Sequence, residues 1–421
     1  MTTYFSKTRL FLSTLVIVSL MIISCNKNLE QFAENPALQP TGQTLDNVLL
    51  GNTDDSLYFN LLKRGGLLSM LQDSSKSYTL FVANNNGIKP VLSAIAAQLS
   101  INLPLNAPDN YFNNFIQAIP VDKAAALIQC TIIPQVLKST QITNVFPNYI
   151  LPSLYNPDPT AQTPIGPVVR IALYPSTRNG AWLNNVPITG VDQLAYNGVI
   201  HHTYILVTPP QRYLWDRIST DTSLTYMKAA INRADSGLAP SESLQGYLSS
   251  FGPDFSVFAP VDTAFKSILT KLITQVLVGN GMPIQQAILT ATSLASTPAV
   301  FSNPLLGSTL TPQTVKGIVV YHLLGQRVFT NNLPITETAY PTLLNSALPT
   351  HPGLKLKAVF EGPFPQNPFA TMVTVKDIYN NSPAAKVIVN SNPMLPDPMG
   401  TSDQNYLNGV LHKIDAVLLP Q

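Results

Sequence analysis

"NGVLHKIDAVLLPQ" closes the chain at residues 408–421, and a near copy, "NGVIHHTYILVTPP", occupies 197–210. Five of the fourteen positions are identical: the Asn, the Gly, the first Val, the His and one Pro. In the later phrase Val410, His412, Ile414 and Ala416 alternate with Leu411, Lys413, Asp415 and Val417. A period of two predicts a strand, entered by an Asn-Gly turn and stopped by Pro420.

Three further pairs of marks precede the two phrases in the same order. "SLYFNLLKRGGLL" at 56–68 echoes "SLTYMKAAINRADSGL" at 223–238, "YTLFVANNNGIKPVL" at 78–92 echoes "FSVFAPVDTAFKSIL" at 255–269, and "ALIQCTIIPQVL" at 126–137 echoes "GIVVYHLLGQRVF" at 317–329. Phe81 to Asn197 spans 116 residues and Phe258 to Asn408 spans 150, so loops lengthen the second copy by 34. Each copy is long enough to own a core, which makes two domains rather than a solenoid. The boundary falls between Pro210 and Leu214, since proline cannot continue a central strand.

Within the second copy, Leu224, Met227, Ala230 and Ile231 share one helix face, with Ser223 placed to cap it. "FSVFAP" reads as a short strand. Phe265, Ile268, Leu269 and Leu272 follow at helical spacing with Asp262 as N-cap, "VKGIVVYHLLG" runs apolar into a β-rich stretch, and "KVIVN" at 386–390 reads as a strand. Helices come early and strands late, which points to an α+β class.

These residues resemble a known family. "FSVFAPVDTAF", "VVYHLL" and "NGVLHKIDAVLLP", in this order and spacing, are similar to the three signature blocks of the fasciclin (FAS1) domain. The second copy matches closely at 223–421, within a domain at 214–421; the first, 44–210, follows the same order in degenerate form. The resemblance implies two tandem fasciclin-like domains, each a β-sandwich or wedge with short flanking helices. It implies adhesion, matrix or polysaccharide contact rather than catalysis.

The N-terminus reads as an address. Lys7 and Arg9 precede an apolar run at 10–23, too short to span a bilayer comfortably. The following "IISC" resembles a bacterial lipobox, which implies cleavage after Ser24 and a lipid on Cys25. Residues 1–24 are then a signal peptide and 25–43 a polar leash with an r.m.s. reach of about 25 Å. Asn26 is not the Asp that retains many lipoproteins at the inner membrane, so an outer-membrane lipoprotein is expected, at the cell surface or on the periplasmic face. The membrane is then a partner through the lipid on Cys25.

Composition bounds the function. Of 421 residues, 45% are hydrophobic and 11% charged, with 36 Pro and a formal net charge of +2. The charged share is well under the usual quarter or so, and no basic run marks a nucleic-acid partner. There is no G-x-S-x-G, H-E-x-x-H, Walker loop or C-x-x-C, so no catalytic residue, metal site or cofactor is expected. Cys130, in an apolar run, reads as a small buried hydrophobe.

Several residues carry two readings. His201 and His202 are neighbours on a predicted strand and face opposite ways, so they cannot chelate one metal together. His201 and His412 read as inward strand residues with hydrogen-bond partners, and Asn197, Gly198, Asn408 and Gly409 as the turns that deliver them. Tyr321 and His322 are candidate recognition residues, because the Tyr-His block of animal relatives is implicated in receptor adhesion. Their flanks, Val319, Val320, Leu323 and Leu324, argue instead for burial. The first copy has Cys130-Thr131 there. Asp262 reads as a cap, and Asn85 takes its place in the first copy. The Pro-rich stretches at 155–167, 361–370 and 390–406 are candidate contact loops.

The expected function is an envelope-anchored adhesion or interaction lipoprotein binding a glycan, matrix component or envelope protein. The alternative is an accessory binding lipoprotein of an outer-membrane polysaccharide-uptake system. A third reading is a hydrolase whose site is assembled only by folding.

Overall fold

The computed structural model describes residues 42–147, 149–158, 169–362, 364, 367–377, 383–390 and 401–420. The signal peptide, Cys25 and nearly all of the leash lie outside the described residues, as do parts of the three Pro-rich stretches.

The first half begins with helices α1 (Leu45–Leu50), α2 (Ser56–Arg64) and α3 (Leu68–Gln72), then strand β1 (Tyr78–Ala83). Helices α4 (Asn85–Gln98), α5 (Asp109–Ala118) and α6 (Val121–Gln129) lead to β2 (Ile132–Ile133). The short strands β3 (Leu151–Pro152), β4 (Ala172–Leu173), β5 (Pro175–Ser176) and β6 (Trp182–Leu183) precede β7 (Val186–Ala195) and β8 (Gly198–Thr203). The second half runs α7 (Leu214–Thr220), α8 (Thr225–Ala234), α9 (Leu244–Leu248), β9 (Phe255–Pro260), α10 (Asp262–Gly279), α11 (Ile284–Leu294), α12 (Pro312–Tyr321) and β10 (Leu323–Leu324). Strands β11 (Thr338–Tyr340), β12 (Leu354–Phe360), β13 (Ala370–Asp377), β14 (Ala385–Lys386), β15 (Gln404–Tyr406) and β16 (Gly409–Ile414) complete it.

Each half is built on its own sheet, and the two sheets have the same central order. The order is β2-β1-β8-β7 in the first, extended by β6 and β5, and β10-β9-β16-β15 in the second. At each centre the first and last long strands pair in parallel, from Tyr78↔Gly198 to Ala83↔Thr203 and from Phe255↔Gly409 to Pro260↔Ile414. A parallel pair needs a crossover; here nearly the whole unit is the crossover.

Helix α2 buries Leu57, Tyr58, Leu61 and Leu62 in the core, and α8 buries Tyr226, Met227, Ala230 and Ile231 in the same way. Each Leu, Ile or Met among them, buried fully, contributes about 1.5–3 kcal/mol of transfer free energy. In the second half a second sheet, β11-β12-β13-β14, packs Leu354, Leu356, Val373 and Val375 against Phe258, Leu324 and Ile414, closing a two-sheet wedge. The architecture is α+β, as the sequence indicates. One apolar cluster runs from Leu45 to Val207, and two others span Leu214 to Leu418.

Local expectations change in five places. Arg64 Nε donates to the Ile119 carbonyl at 2.7 Å and Arg233 Nε to the Leu310 carbonyl at 2.8 Å, so Ser56 aligns with Thr225, not Ser223. Ser223 does not cap α8; its Oγ donates to Asp221 and accepts from Lys413 Nζ. The hairpins pair Ala195 with Gly198 and Tyr406 with Gly409, so the two-residue turns are Tyr196-Asn197 and Leu407-Asn408, and each Gly is already in its strand. Of the expected strand at 386–390, only Lys386 lies in a strand, and Val387 makes a single bridge to Ile414. Strand β16 ends at Ile414 with both faces buried, because helices cover one side and the second sheet the other.

Candidate functional site

The repeated phrase sits at the centre of a polar skeleton present in both halves. Asn408 Oδ1 accepts the Leu214 N–H at 3.0 Å and Asn197 Oδ1 the Leu45 N–H at 2.9 Å, tying the first helix of each half to its last strand. Their carbonyls accept the N–H groups of Phe255 and Tyr78 across the parallel pair. The Gly that follows is required by proximity. A Cβ on Gly198 or Gly409 would fall under 3.0 Å from the carbonyl oxygen of Tyr78 or Phe255, closer than real Cβ contacts come.

His412 faces Phe258 with ring centroids 5.4 Å apart, and His201 faces Phe81 at the same 5.4 Å. His412 Nε2 lies 2.9 Å from the Val328 carbonyl, and Nδ1 accepts the Asp403 N–H at 3.2 Å. His201 repeats this with the Leu137 carbonyl at 2.7 Å and the Asp192 N–H at 3.3 Å. Since Nδ1 is an acceptor, these partners assign the Nε2–H tautomer and a neutral ring. Burial pushes both imidazole pKa values down. The Asp403 carboxylate is 3.8 Å from His412 Nδ1, but that nitrogen already accepts the amide and desolvation outweighs the attraction, so the contact is not an ion pair.

Asp192 and Asp403 are themselves paired features. Both hold left-handed backbone, φ 58° and 59°, a conformation Asp tolerates better than most residues. Asp403 accepts from Thr330 N at 2.7 Å and Thr330 Oγ1 at 2.5 Å; Asp192 accepts from Ser139 N at 2.8 Å and from Ser139 Oγ. Beneath them, Ser256 Oγ donates to the Gln326 carbonyl and accepts the Val328 N–H, as Thr79 Oγ1 does for Gln135 and Leu137. The skeleton therefore clamps an irregular strap, 135–139 or 326–330, onto the central strands.

This geometry does not build a nucleophile. Thr330 Oγ1 donates to Asp403 rather than to His412, His412 Nε2 is taken by a carbonyl, and all three residues are buried. A catalytic triad needs the imidazole free to receive the hydroxyl proton. Among the described residues, no group of three or more His, Cys, Asp or Glu is placed to hold a metal ion.

Tyr321 and His322, expected as candidate recognition residues, are core. Tyr321 is fully buried, donates to the Gly353 carbonyl at 2.9 Å and meets His351 edge-on at 5.1 Å. His322 Nδ1 lies 2.8 Å from the Ile318 carbonyl, and Nε2 accepts the Leu418 N–H at 2.9 Å, so its tautomer is the opposite one. Burial lowers its pKa to about 4. The apolar flank draws the pair inward, and no side-chain surface is left for a partner. In the first half Cys130 is likewise buried, its Sγ 3.2 Å from the Leu127 and Val207 carbonyls, and Tyr58 hydroxyl meets Thr131 at 2.8 Å.

Asp262 is also reassigned. It does not cap α10, whose N-cap is Val261. Its carboxylate accepts from Tyr226 N at 3.1 Å and Thr225 Oγ1 at 2.6 Å, capping α8 from a neighbouring helix. Asn85 does the same to α2 through Leu57 N at 2.9 Å, while Asn84 caps its own helix.

The halves meet through a polar seam. Tyr174 hydroxyl donates to Asp254 at 2.5 Å, Arg327 Nε pairs with Asp254 at 2.8 Å, and the guanidinium lies 5.3 Å over the Tyr174 ring. Asn179 Nδ2 donates to the Asn331 and Leu333 carbonyls, and Asn331 Nδ2 to Asn184. Phe364 and Phe369, in the Pro-rich stretch at 361–370, close edge-on over the buried Trp182. Beside this seam lies a cleft of about 420 Å³, between α4, the Asn184-Asn185 turn, the segment 207–212 and Asn405-Tyr406.

No family model matches the chain, and no curated protein matches it. Among solved structures it is similar to a FAS1 domain pair from the insect cell adhesion molecule fasciclin I, at 13% identity over 86% of this chain and 96% of that one, with a TM-score of 0.31.

Proposed function

We propose that the chain is an envelope-anchored binding protein whose work is adhesion or interaction, not turnover. One observation carries the reading. Among the described residues, the repeated constellation of His, Asp and hydroxyl groups is engaged in holding backbone in both halves, fully buried in the second and with Asp192 and Ser139 half-buried in the first. What the fold offers outward is the seam-side cleft, loops and exposed apolar side chains such as Leu289 and Leu305. Binding functions sit on such surfaces over a rigid scaffold. The lipobox-like "IISC" ending at Cys25 supplies the anchor in this reading.

Two measurements test it. Protease shaving of intact cells should remove the protein if it faces outward. The purified chain should be retained by at least one member of a panel of polysaccharides, matrix components and envelope proteins. Failure to bind any member would overturn the reading. A growth defect confined to one polysaccharide in a deletion strain would move it to nutrient uptake.

A further inference from the structure

Resting on that binding reading, the geometry points to the cleft at the junction of the two halves as a site for an acid-bearing saccharide, a hydroxylated ring with one carboxylate. The cleft is concave, and its volume of about 420 Å³ lies within the usual small-ligand range of about 300–1,000 Å³. Both halves build it, and the seam of Tyr174, Asp254 and Arg327 fixes them beside it. The site is therefore largely preformed, which lowers the cost of ordering on binding.

Its chemistry is selective. Val91, Leu127, Pro209 and Pro210 give a buried aliphatic floor suited to the C–H face of a sugar ring. Among the described residues, the side chains of Gln98, Asn185 and Gln211 find no hydrogen-bond partner, nor does the Arg212 guanidinium. An amide both donates and accepts, as a hydroxyl does, so three amides complement a polyol better than an ion that only accepts. Arg212 adds a planar fork that fits one carboxylate. Among the described residues, no acidic side chain lines the cleft to oppose it, and no second cation is there to favour a phosphate.

The test uses the full-length chain in detergent, titrated with digalacturonate and with its methyl ester by calorimetry. Digalacturonate should bind, the ester should bind at least about tenfold more weakly, and Arg212→Gln should produce a similar loss. Ala94→Trp, at an exposed position on the cleft wall, should abolish binding with the melting temperature unchanged. Digalacturonate binding that survives both substitutions would overturn the cleft assignment and leave the general binding reading standing. No digalacturonate binding in the millimolar range, or equal competition by inorganic phosphate, would overturn the ligand class; retention on the wider panel reports separately on the binding reading.

Discussion

The imidazole of His412 accepts the backbone N–H of Asp403 at 3.2 Å, and the same bond joins His201 to Asp192 at 3.3 Å in the first half. In each case the Asp turns through left-handed backbone to present that N–H, while its carboxylate holds the strap that carries the other imidazole partner. Two buried rings thus join three backbone segments each.

His412→Phe keeps the ring and removes both bonds. A buried carbonyl and a buried N–H lose partners, at about 1–3 kcal/mol per group. We expect a loss of about 2–4 kcal/mol in urea unfolding. His201→Phe should cost a similar amount, and a change below about 0.5 kcal/mol in either would contradict the assigned role.

Acid should weaken the fold through three rings. His201, His322 and His412 have folded pKa values pushed below the ordinary one by burial, that of His322 to about 4. Between the folded value and the unfolded value of about 6.5, the unfolded chain binds more protons. Stability is therefore full above about pH 6.5 and falls as pH drops toward the folded values, by up to about 1.4 kcal/mol per pH unit for each ring. Urea midpoints at pH 7, 6 and 5 measure it, and His322→Gln should flatten the slope. A midpoint unchanged down to pH 5 would be inconsistent with neutral buried rings.

Asp262→Asn should be nearly silent, because Asn85 already serves the equivalent helix with an amide oxygen. Asp262→Ala removes the acceptor from Tyr226 N and should cost about 1 kcal/mol. Thermal unfolding of the pair separates the cap from any role that depends on charge.

Gly198→Ala and Gly409→Ala each drive a Cβ into a carbonyl of the adjacent parallel strand. Backbone cannot rotate away as a side chain can, so a cost of about 1–3 kcal/mol or more is expected. The readout is urea unfolding, with amide exchange at Tyr78 or Phe255 reporting local opening.

Arg327→Met should leave Asp254 without its ion pair and uncover the Tyr174 ring. Asp254 is partly exposed, so the loss should sit near the low end of the 3–5 kcal/mol typical of broken buried pairs. Tyr174→Phe removes one bond and should cost about 1 kcal/mol. Small-angle scattering should show a more extended particle for Arg327→Met than for the wild type.

The sequence disclosed the frame through residues that have no substitute. Asn-Gly before a period-two run marks a position where only Gly fits and where the Asn side chain ties two elements, so the phrase recurs. The partners of that phrase were less visible. Thr79 and Ser256, or Ser139 and Thr330, are common hydroxyl residues that acquire roles only when the strap folds back. One signal was present: "DQLAYNGVIH" at 192–201 and "DQNYLNGVLH" at 403–412 share Asp-Gln upstream of the repeated phrase. For Tyr321 and His322 the apolar flanks were the better guide than the motif, since they bury the pair. Asp262 misled because a cap can serve a neighbouring helix as readily as its own. The seam and cleft were illegible, since they join residues such as Tyr174 and Asp254 that no local pattern relates.

The parallel pairing of first and last strands has a mechanical consequence. Because β1 and β8 run the same way, tension drawing the N-terminal end of β1 away from the C-terminal end of β8 pulls along the ladder rather than across it. Six paired positions then bear load together in shear, and the second half offers the same six-position ladder between β9 and β16. A chain held at one end and gripped at the other would resist as two such ladders in series, each having to slide as a block instead of unzipping one bond at a time.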